Sequence, residues 1–354
     1  MQRQNMAFSR GSILFIGNFL SAHFMTKSVS EEMAIMFKER GWVVYTTSQL
    51  RNRILRLLDM VITIFRYKNH FQFSIIEVYS GWAFIWAFTC ALLLKKLEKP
   101  FILTLHGGGL ITFYKKYPYW VKSLLQLANL ITTPSKFLQE FFLKFRSDII
   151  YIPNGILLEN YYFLSKKNPK PVIAWLRAFH ETYNPKMAID SIYLLANQLH
   201  DIHLQMIGPD KKDGSKEMVE ELIAKYNLKS KIELVGPVDK KDVSNWLNKS
   251  DIFLNTTNFE SFGVSVLEAA ACGLCIVTTN VGELSYLWEN EVDALLVPPN
   301  DPEAMAAAIQ RILTEPGLAA RLSANARKKA EQFVWSFILP QWEKIFIEVL
   351  QNNY

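Results

Sequence analysis

With 354 residues, half of them apolar and 20% charged, the chain is too long for one ordinary domain and fits two of roughly 100 to 200 residues each. Its composition, free of low-complexity runs and visible repeats, excludes a disordered or fibrous protein. The net charge of +6 is unevenly placed: residues 1–165 carry 19 Lys and Arg against 9 Asp and Glu, a net of +10, and residues 166–354 carry 20 against 24, a net of −4.

The basic half either seeks an anionic partner or is a soluble basic face. It carries no DNA- or RNA-binding motif, so a membrane surface or anionic acceptor fits better than nucleic acid. Three cysteines, Cys90, Cys272 and Cys275, cannot staple a chain this long, and the apolar run 13–16 is too short for a cleavable signal. The expectation is a reducing, cytoplasmic compartment.

Along the first half, the runs "SILFIG", "WVVYTT", "FSIIEVY", "FILTLHG", "LITTPS" and "IIYIPNG" read as strands, with helical patterns between them such as "SVSEEMAIMFKERG", closed by Gly41. That alternation is the rhythm of parallel βα units. The segment 51–71, "RNRILRLLDMVITIFRYKNHF", sets Ile54, Leu58, Val61 and Phe65 on one helical face, with Arg51, Arg53, Arg56 and Arg66 around it. A basic amphipathic helix can lie on anionic lipid. Leu55, Ile62 and Ile64 make the segment apolar nearly all round, so a core helix with snorkelling arginines is an equal alternative. The 12-residue apolar run 83–94 ends in Lys95 and Lys96 and reads as a buried core helix, well short of the roughly 20 residues needed to span a bilayer.

Residues 157–171, "LLENYYFLSKKNPKP", break the rhythm with charge, Asn and two prolines, as an interdomain linker does. Beyond them the alternation restarts with "VIAWLR", "HLQMIG", "KIELVG", "DIFLNTT", "LCIVTTN" and "ALLVPP". The predicted fold is α/β, with two Rossmann-like, doubly wound parallel-sheet domains facing a central crevice. They cover residues 1–165 and 166–335, and a last helix in 336–354 packs back on the first. Ligands of such sheets bind outside the carboxyl ends of the strands.

The stretch "NFESFGVSVLEAAACGLC", 258–275, follows the run "DIFLNTT" and leads into a helix. It puts Glu260 in a loop and Glu268 on the helix. The amides of Phe262, Gly263 and Val264 stand at the helix N-terminus, which favours an anion. Glu268 lies five residues further on, about 7 Å at 1.5 Å per residue, roughly the reach from a diphosphate to a ribose. An ionised carboxylate offers only acceptors and can take both hydroxyls of a vicinal diol. Spacing alone is weak, because Glu31 and Glu39, and Glu283 and Glu291, are also eight apart. A solvated helix face is the bland alternative for Glu268 and a plain loop carboxylate for Glu260.

The stretch "ESFGVSVLEAAACGLCIVTTNVGELSYL" resembles the Glu-x7-Glu signature of retaining, family 4 type glycosyltransferases of the GT-B fold. The similarity continues in "GELSYLWENEVDALLVPPNDPEAMAAAI" and, upstream, in "LTLHGGG", "TTPSKFLQEFF" and "IPNGI". The resemblance implies that Glu260 contacts the donor sugar and Glu268 the nucleotide ribose. It also implies a basic pair after the first strand of the second domain. Arg177 matches the arginine, and its guanidinium fork suits a diphosphate. The family's lysine comes five residues later, whereas here the next lysine is Lys186, nine later, either a phosphate ligand or a first-turn surface lysine.

His106 in "TLHGGG" is implied to lie near the transferring sugar or acceptor; the alternative is a structural histidine at a strand end. The family's glycine-rich first loop is replaced by "GNFLSAHFMTKSVS", which keeps only Gly17 and leaves His23 and Lys27 unassigned. The loop "VGPVDKKD", 235–242, is expected to border the base.

Cys272-Gly-Leu-Cys275 sits at a helix end before a strand, the reverse of a thioredoxin-like pair, and zinc would need a second ligand pair. Gly273 is more simply a helix cap and the cysteines small buried residues. No Asp-x-Asp occurs, so a metal held by that motif is not expected.

The implied activity is metal-independent, retaining transfer from a nucleotide diphosphate sugar to a hydroxyl of a glycan or lipid-linked acceptor, in cell-surface polysaccharide or glycolipid synthesis. Glu260, His106, Arg177 and Lys186 would be the catalytic residues. The donor is a substrate and no cofactor is expected. The protein would work in the cytoplasm or peripherally on the inner face of the membrane. The rivals are a glycosidase, a nucleotide-sugar epimerase of the same fold, and a degenerate nucleotide-sugar-binding scaffold.

Overall fold

A computed structural model describes residues 10–21 and 27–351; His23 lies outside the described residues. The chain divides into two compact units, Met1–Asn154 with Ser336–Tyr354, and Gly155–Trp335.

In unit 1 the strands are β1 (Ser12–Ile16), β2 (Val43–Thr47), β3 (Phe73–Val78), β4 (Phe101–Leu105), β5 (Leu130–Thr133) and β6 (Ile149–Tyr151). The helices between them are α1 (Val29–Glu39), α2 (Arg53–Tyr67), α3 (Trp82–Lys96), α4 (Gly109–Lys116), α5 (Pro118–Leu127) and α6 (Lys136–Leu143). Their starts are written in the sequence. Ser28 and Glu31 form a capping box on α1, Asn52 caps α2, Ser135 caps α6, and α5 opens on Pro118.

All strand pairs are parallel, in the order β2-β1-β3-β4-β5-β6. β3, β4 and β5 are buried along their whole length, as a sheet covered on both faces requires. Right-handed crossovers put α1 on one face and α2 to α6 on the other.

Unit 2 repeats the plan with β7 (Val172–Leu176), α7 (Pro185–Leu195), β8 (His203–Ile207), α8 (Ser215–Lys225), β9 (Ile232–Gly236), α9 (Val243–Leu247), β10 (Ile252–Asn255), α10 (Val264–Cys272), β11 (Cys275–Thr279), α11 (Leu284–Leu287), β12 (Leu295–Val297), α12 (Pro302–Thr314) and α13 (Leu318–Ala330). Its parallel sheet runs β12-β11-β10-β7-β8-β9. Each of the twelve predicted strand runs contains a strand.

The last helix, α14 (Trp335–Gln351), lies almost wholly in unit 1. Phe346 packs on Phe37, Phe73 and Trp42 with ring centroids 4.8, 5.1 and 5.2 Å apart. Glu343 accepts from Nε and Nη2 of Arg40, each at 2.9 Å, and from Arg10 at 2.7 Å. Burying one such aromatic contributes about 1.5–3 kcal/mol, more than the half-exposed ion pairs.

The segment 157–171, expected as a linker, packs on unit 2 instead, and the division falls at Asn154/Gly155. Its aromatic and cationic side chains find partners there. Tyr161 is buried and donates to Glu268 at 2.8 Å, and the buried Lys166 pairs with Asp251 at 2.7 Å.

Candidate functional site

In each sheet the strand order reverses at one point. In unit 2 that point lies between β7 and β10, where ligands of doubly wound sheets bind. Arg177 follows β7 directly, and its amide donates to the Ile207 carbonyl at 3.0 Å. Its Nε donates to Asn255 Oδ1 at 3.1 Å, and Nη2 pairs with the Glu260 carboxylate. Asn255, last residue of β10, is itself oriented by donating to Thr278 Oγ1 at 2.9 Å. The guanidinium also lies over the Tyr183 ring, 5.2 Å from its centroid. Burial pushes the Tyr183 hydroxyl pKa up.

The loop that carries these residues is cross-tied. Thr256 and Thr257 donate to the Tyr183 and Thr182 carbonyls at 2.8 and 3.1 Å, so the turns after β7 and β10 hold each other. The Glu260 carbonyl accepts from Glu283 N at 3.0 Å. This close approach needs Gly282, where a Cβ would stand 2.1 Å from the Glu260 oxygen.

The Glu260 carboxylate turns back on its own loop. Its Oε1 accepts from the Ser261 and Phe262 amides at 3.0 and 3.3 Å. Of the three amides expected to stand free for an anion, that of Phe262 is therefore occupied by the carboxylate two residues before it. Gly263 is the N-cap of α10, with φ 95°, and Val264 is the first helical residue.

Glu268 lies on α10, buried, and accepts from the Tyr161 hydroxyl at 2.8 Å while pairing with Lys240 Nζ. Lys240 belongs to the loop 235–242. Both glutamates of the spaced pair are thus held by a cation. Lys186 is not among these groups. It sits in the first turn of α7, about half exposed, and pairs with Asp190 four residues on, which raises its pKa.

Cys272 and Cys275 are buried free thiols, with burial pushing their pKa values up to about 11 and about 12. Gly273, φ 86°, closes α10, as a small-residue helix end should.

In unit 1 the reversal lies between β1 and β3. Glu77, next to last in β3, occupies it. Its Oε2 accepts from Asn18 N at 3.3 Å, and Oε1 is bonded by Ser30 Oγ. Gly17 leaves room for this carboxylate, since a Cβ there would stand 2.2 Å from Glu77 Oε2 and displace it. Burial raises the Glu77 pKa to about 7.

His106, just past β4, stacks on Tyr79 with centroids 5.0 Å apart and points Nε2 toward Glu77 Oε1 at 3.8 Å, without a hydrogen-bond partner for Nε2 among the described residues. Burial lowers its pKa to about 4. Between these values both side chains are neutral, and Glu77 titrates near neutrality, where proton transfer is most useful.

Glu77, Asn255 and Tyr161 were not marked by any sequence pattern used above, and Lys240 only as part of the loop 235–242. The signal available for Glu77 was a lone carboxylate inside the apolar run "FSIIEVY", which burial makes costly unless it has a role. Among the described residues no three His, Cys, Asp or Glu cluster as metal ligands.

Residues 162–329 match the family described as Glycosyl transferases group 1, and residues 28–160 match Glycosyltransferase Family 4. An uncharacterized glycosyltransferase of Methanocaldococcus jannaschii is 26% identical over 277 residues, 77% of this chain and 75% of its own. The D-inositol 3-phosphate glycosyltransferase of Jonesia denitrificans is 26% identical over 168 residues, 46% of this chain and 40% of its own length. The match therefore spans less than half of that relative.

Sucrose-phosphate synthase of Thermosynechococcus elongatus superposes with a TM-score of 0.80 at 18% identity, over 96% of this chain and 99% of its own. HepE of Anabaena, solved with UDP and glucose, gives 0.77 at 15%, over 96% and 100%. At such identities the likeness is one of fold. The two six-stranded parallel sheets, each with its reversal point, and the paired family matches make the chain a protein of the GT-B glycosyltransferase type, akin to family 4.

Proposed function

We propose that the protein is a retaining glycosyltransferase that moves a sugar from a nucleotide diphosphate sugar to a hydroxyl of a glycan or lipid-linked acceptor, in cell-surface polysaccharide or glycolipid synthesis. The observation that carries this reading is the Arg177–Glu260 pair at the reversal point of unit 2, beside the start of α10. A guanidinium held by a carboxylate is ready to exchange it for phosphate oxygens. On that exchange Glu260 is released to accept from hydroxyls of the sugar, and the Phe262 amide joins those of Gly263 and Val264 in facing the diphosphate. Glu268 accepts from the ribose hydroxyls, which replace Lys240 and Tyr161.

In the transfer, the bond from the anomeric carbon to the diphosphate oxygen breaks and a bond to the acceptor oxygen forms on the same face. The acceptor proton passes to the departing diphosphate. The developing charge is met by Arg177 and the helix amides without a metal, and electrostatic stabilisation is the main catalytic contribution. Lys186 adds to it only after leaving Asp190. His106, neutral at physiological pH, and Glu77 serve the acceptor side by hydrogen-bonding and orienting the hydroxyl whose proton leaves with the diphosphate.

A panel of UDP, GDP, ADP and CDP tests the reading by thermal stabilisation, since a ligand that binds only the folded state raises the melting temperature. One nucleotide is expected to stabilise the wild type and not Glu268→Ala. If none does, and nucleotide-sugars also fail, the reading is wrong and a scaffold role comes first.

A further inference from the structure

The layer of helices over one face of the unit 1 sheet exposes apolar surface that the transfer reaction does not use. Of the 23 exposed large hydrophobic side chains among the described residues, 13 lie between Leu50 and Leu143, whereas unit 2, with 181 residues, has six. On α2 the packed face is Arg56, Met60 and Ile64. The opposite face shows Ile54, Leu55, Leu58, Ile62 and Phe65, each 48% to 72% exposed. At 100° per residue these five span one continuous stripe of about 100°. The two alternatives open for segment 51–71 are thereby separated: the helix is a two-faced one with its larger apolar face outward.

On its packed face α2 joins its neighbours: the Arg56 guanidinium lies over Trp86 of α3 at 4.8 Å, and Phe88 of α3 in turn meets Trp120 of α5 at 5.5 Å. The same layer exposes Trp82 at 60%, Trp120 at 52% and Tyr119 at 78%. Residues 51–127 hold eleven Lys and Arg against three Asp and Glu, a net of +8. Of the three acids, Glu77 is buried at the unit 1 site and Asp59 accepts from Thr47 at 3.1 Å, leaving Glu98.

We propose that this helical layer docks on an anionic lipid bilayer, with α2 in the headgroup plane and Trp82, Tyr119 and Trp120 seated at the interface. Three features of this layer favour lipid over a protein partner. The apolar groups stand out from helix faces, about half exposed or more. Amphipathic aromatic rings of this kind prefer the headgroup level. The cations, Arg51, Arg53, Arg66 and Lys68 on and beside α2 with Lys95, Lys96, Lys115, Lys116 and Lys122 on its neighbours, match anionic headgroups with almost no opposing carboxylate. No helix among the described residues is long and apolar enough to cross a membrane, so the contact is with one leaflet. The inference rests on the proposed function only for its sense, a lipid-linked acceptor met at the surface, and is tested apart from it.

The full chain is sedimented with phosphatidylcholine vesicles and with vesicles containing about 30% phosphatidylglycerol. Binding is expected to the anionic vesicles only, and to weaken about tenfold in Ile62→Ser/Phe65→Ser and on raising the salt. These side chains are exposed, so the melting temperature and the nucleotide shift of the variant are expected to match wild type. Failure of the wild type to bind anionic vesicles overturns the proposal, as does undiminished binding by the folded double variant. A dimer broken by Ile62→Ser/Phe65→Ser in a chain that ignores vesicles also overturns it and assigns the face to a second copy. Vesicle binding without any nucleotide shift upholds docking and removes the transferase reading; the reverse result does the opposite.

Discussion

The two units share one topology and use its reversal point in opposite ways. In unit 2 the carboxylates there are met by cations, Glu260 by Arg177 and Glu268 by Lys240. In unit 1 Glu77 has hydrogen-bond donors but, among the described residues, no Lys or Arg paired with it, and its neighbour His106 is drawn toward neutrality by the same burial. Paired charges suit a ligand that is itself charged and exchanges partners with them. A neutral acid and imidazole suit a hydroxyl whose proton must move. Under the proposed function, this contrast in electrostatics fits a donor held in unit 2 and acceptor chemistry in unit 1.

The largest expected effect comes from breaking a pair in unit 2. Arg177→Ala leaves Glu260 buried without its cation and is expected to destabilise by about 3 kcal/mol. The check is the denaturant midpoint at unchanged slope. Adding Glu260→Ala should recover part of the loss, because the orphaned charge is gone; a strictly additive double variant would mean the pair is not coupled.

Unit 1 gives the next effect through pH. Glu77 has its folded pKa raised from 4.5 to about 7, so the folded state holds a proton the unfolded state has lost, and stability falls as pH rises from 4.5 to 7, by about 3 kcal/mol. His106 has its folded pKa lowered from 6.5 to about 4, so its contribution is full above 6.5 and is lost as pH falls toward 4. From pH 4.5 to 6.5 the two slopes cancel. Glu77→Gln is therefore expected to show stability rising with pH through that window, and His106→Gln to show it falling. Denaturation at pH 4.5, 5.5 and 6.5 reads both, and equal slopes in the two variants would break the account.

The smallest effect belongs to the groups behind the charges. Tyr161→Phe removes one donor to Glu268, and a loss of about 1 kcal/mol is expected. A shift in the nucleotide concentration giving half-maximal stabilisation is expected with it.

Much of this was legible from residue order. The twelve strands were, because parallel strands buried on both faces read as unbroken apolar runs. Glu260 was marked as a candidate by the strand, glycine and helix start around it, and Arg177 by the family resemblance. Their contact with each other was not, because no local pattern brings residue 177 to residue 260. Tyr161 and Lys240 were hidden for the same reason: each reaches Glu268 from a segment that looked like linker or loop. The Phe262 amide was expected to be free because a helix start by itself does not show that a carboxylate two residues earlier folds onto it. Lys186 stood nine residues after Arg177, four past the place of the family's lysine, and helical geometry sets it beside Asp190 four residues on. The two faces of α2 separated only once burial was known, since composition made it apolar nearly all round.

The measurement that tests the central claim most directly is the change in melting temperature produced by the UDP, GDP, ADP and CDP panel across wild type, Arg177→Gln and Glu77→Gln. The account expects a rise in wild type and in Glu77→Gln and none in Arg177→Gln. A shift retained by Arg177→Gln, or abolished by Glu77→Gln, would contradict the division of donor and acceptor chemistry between the two units.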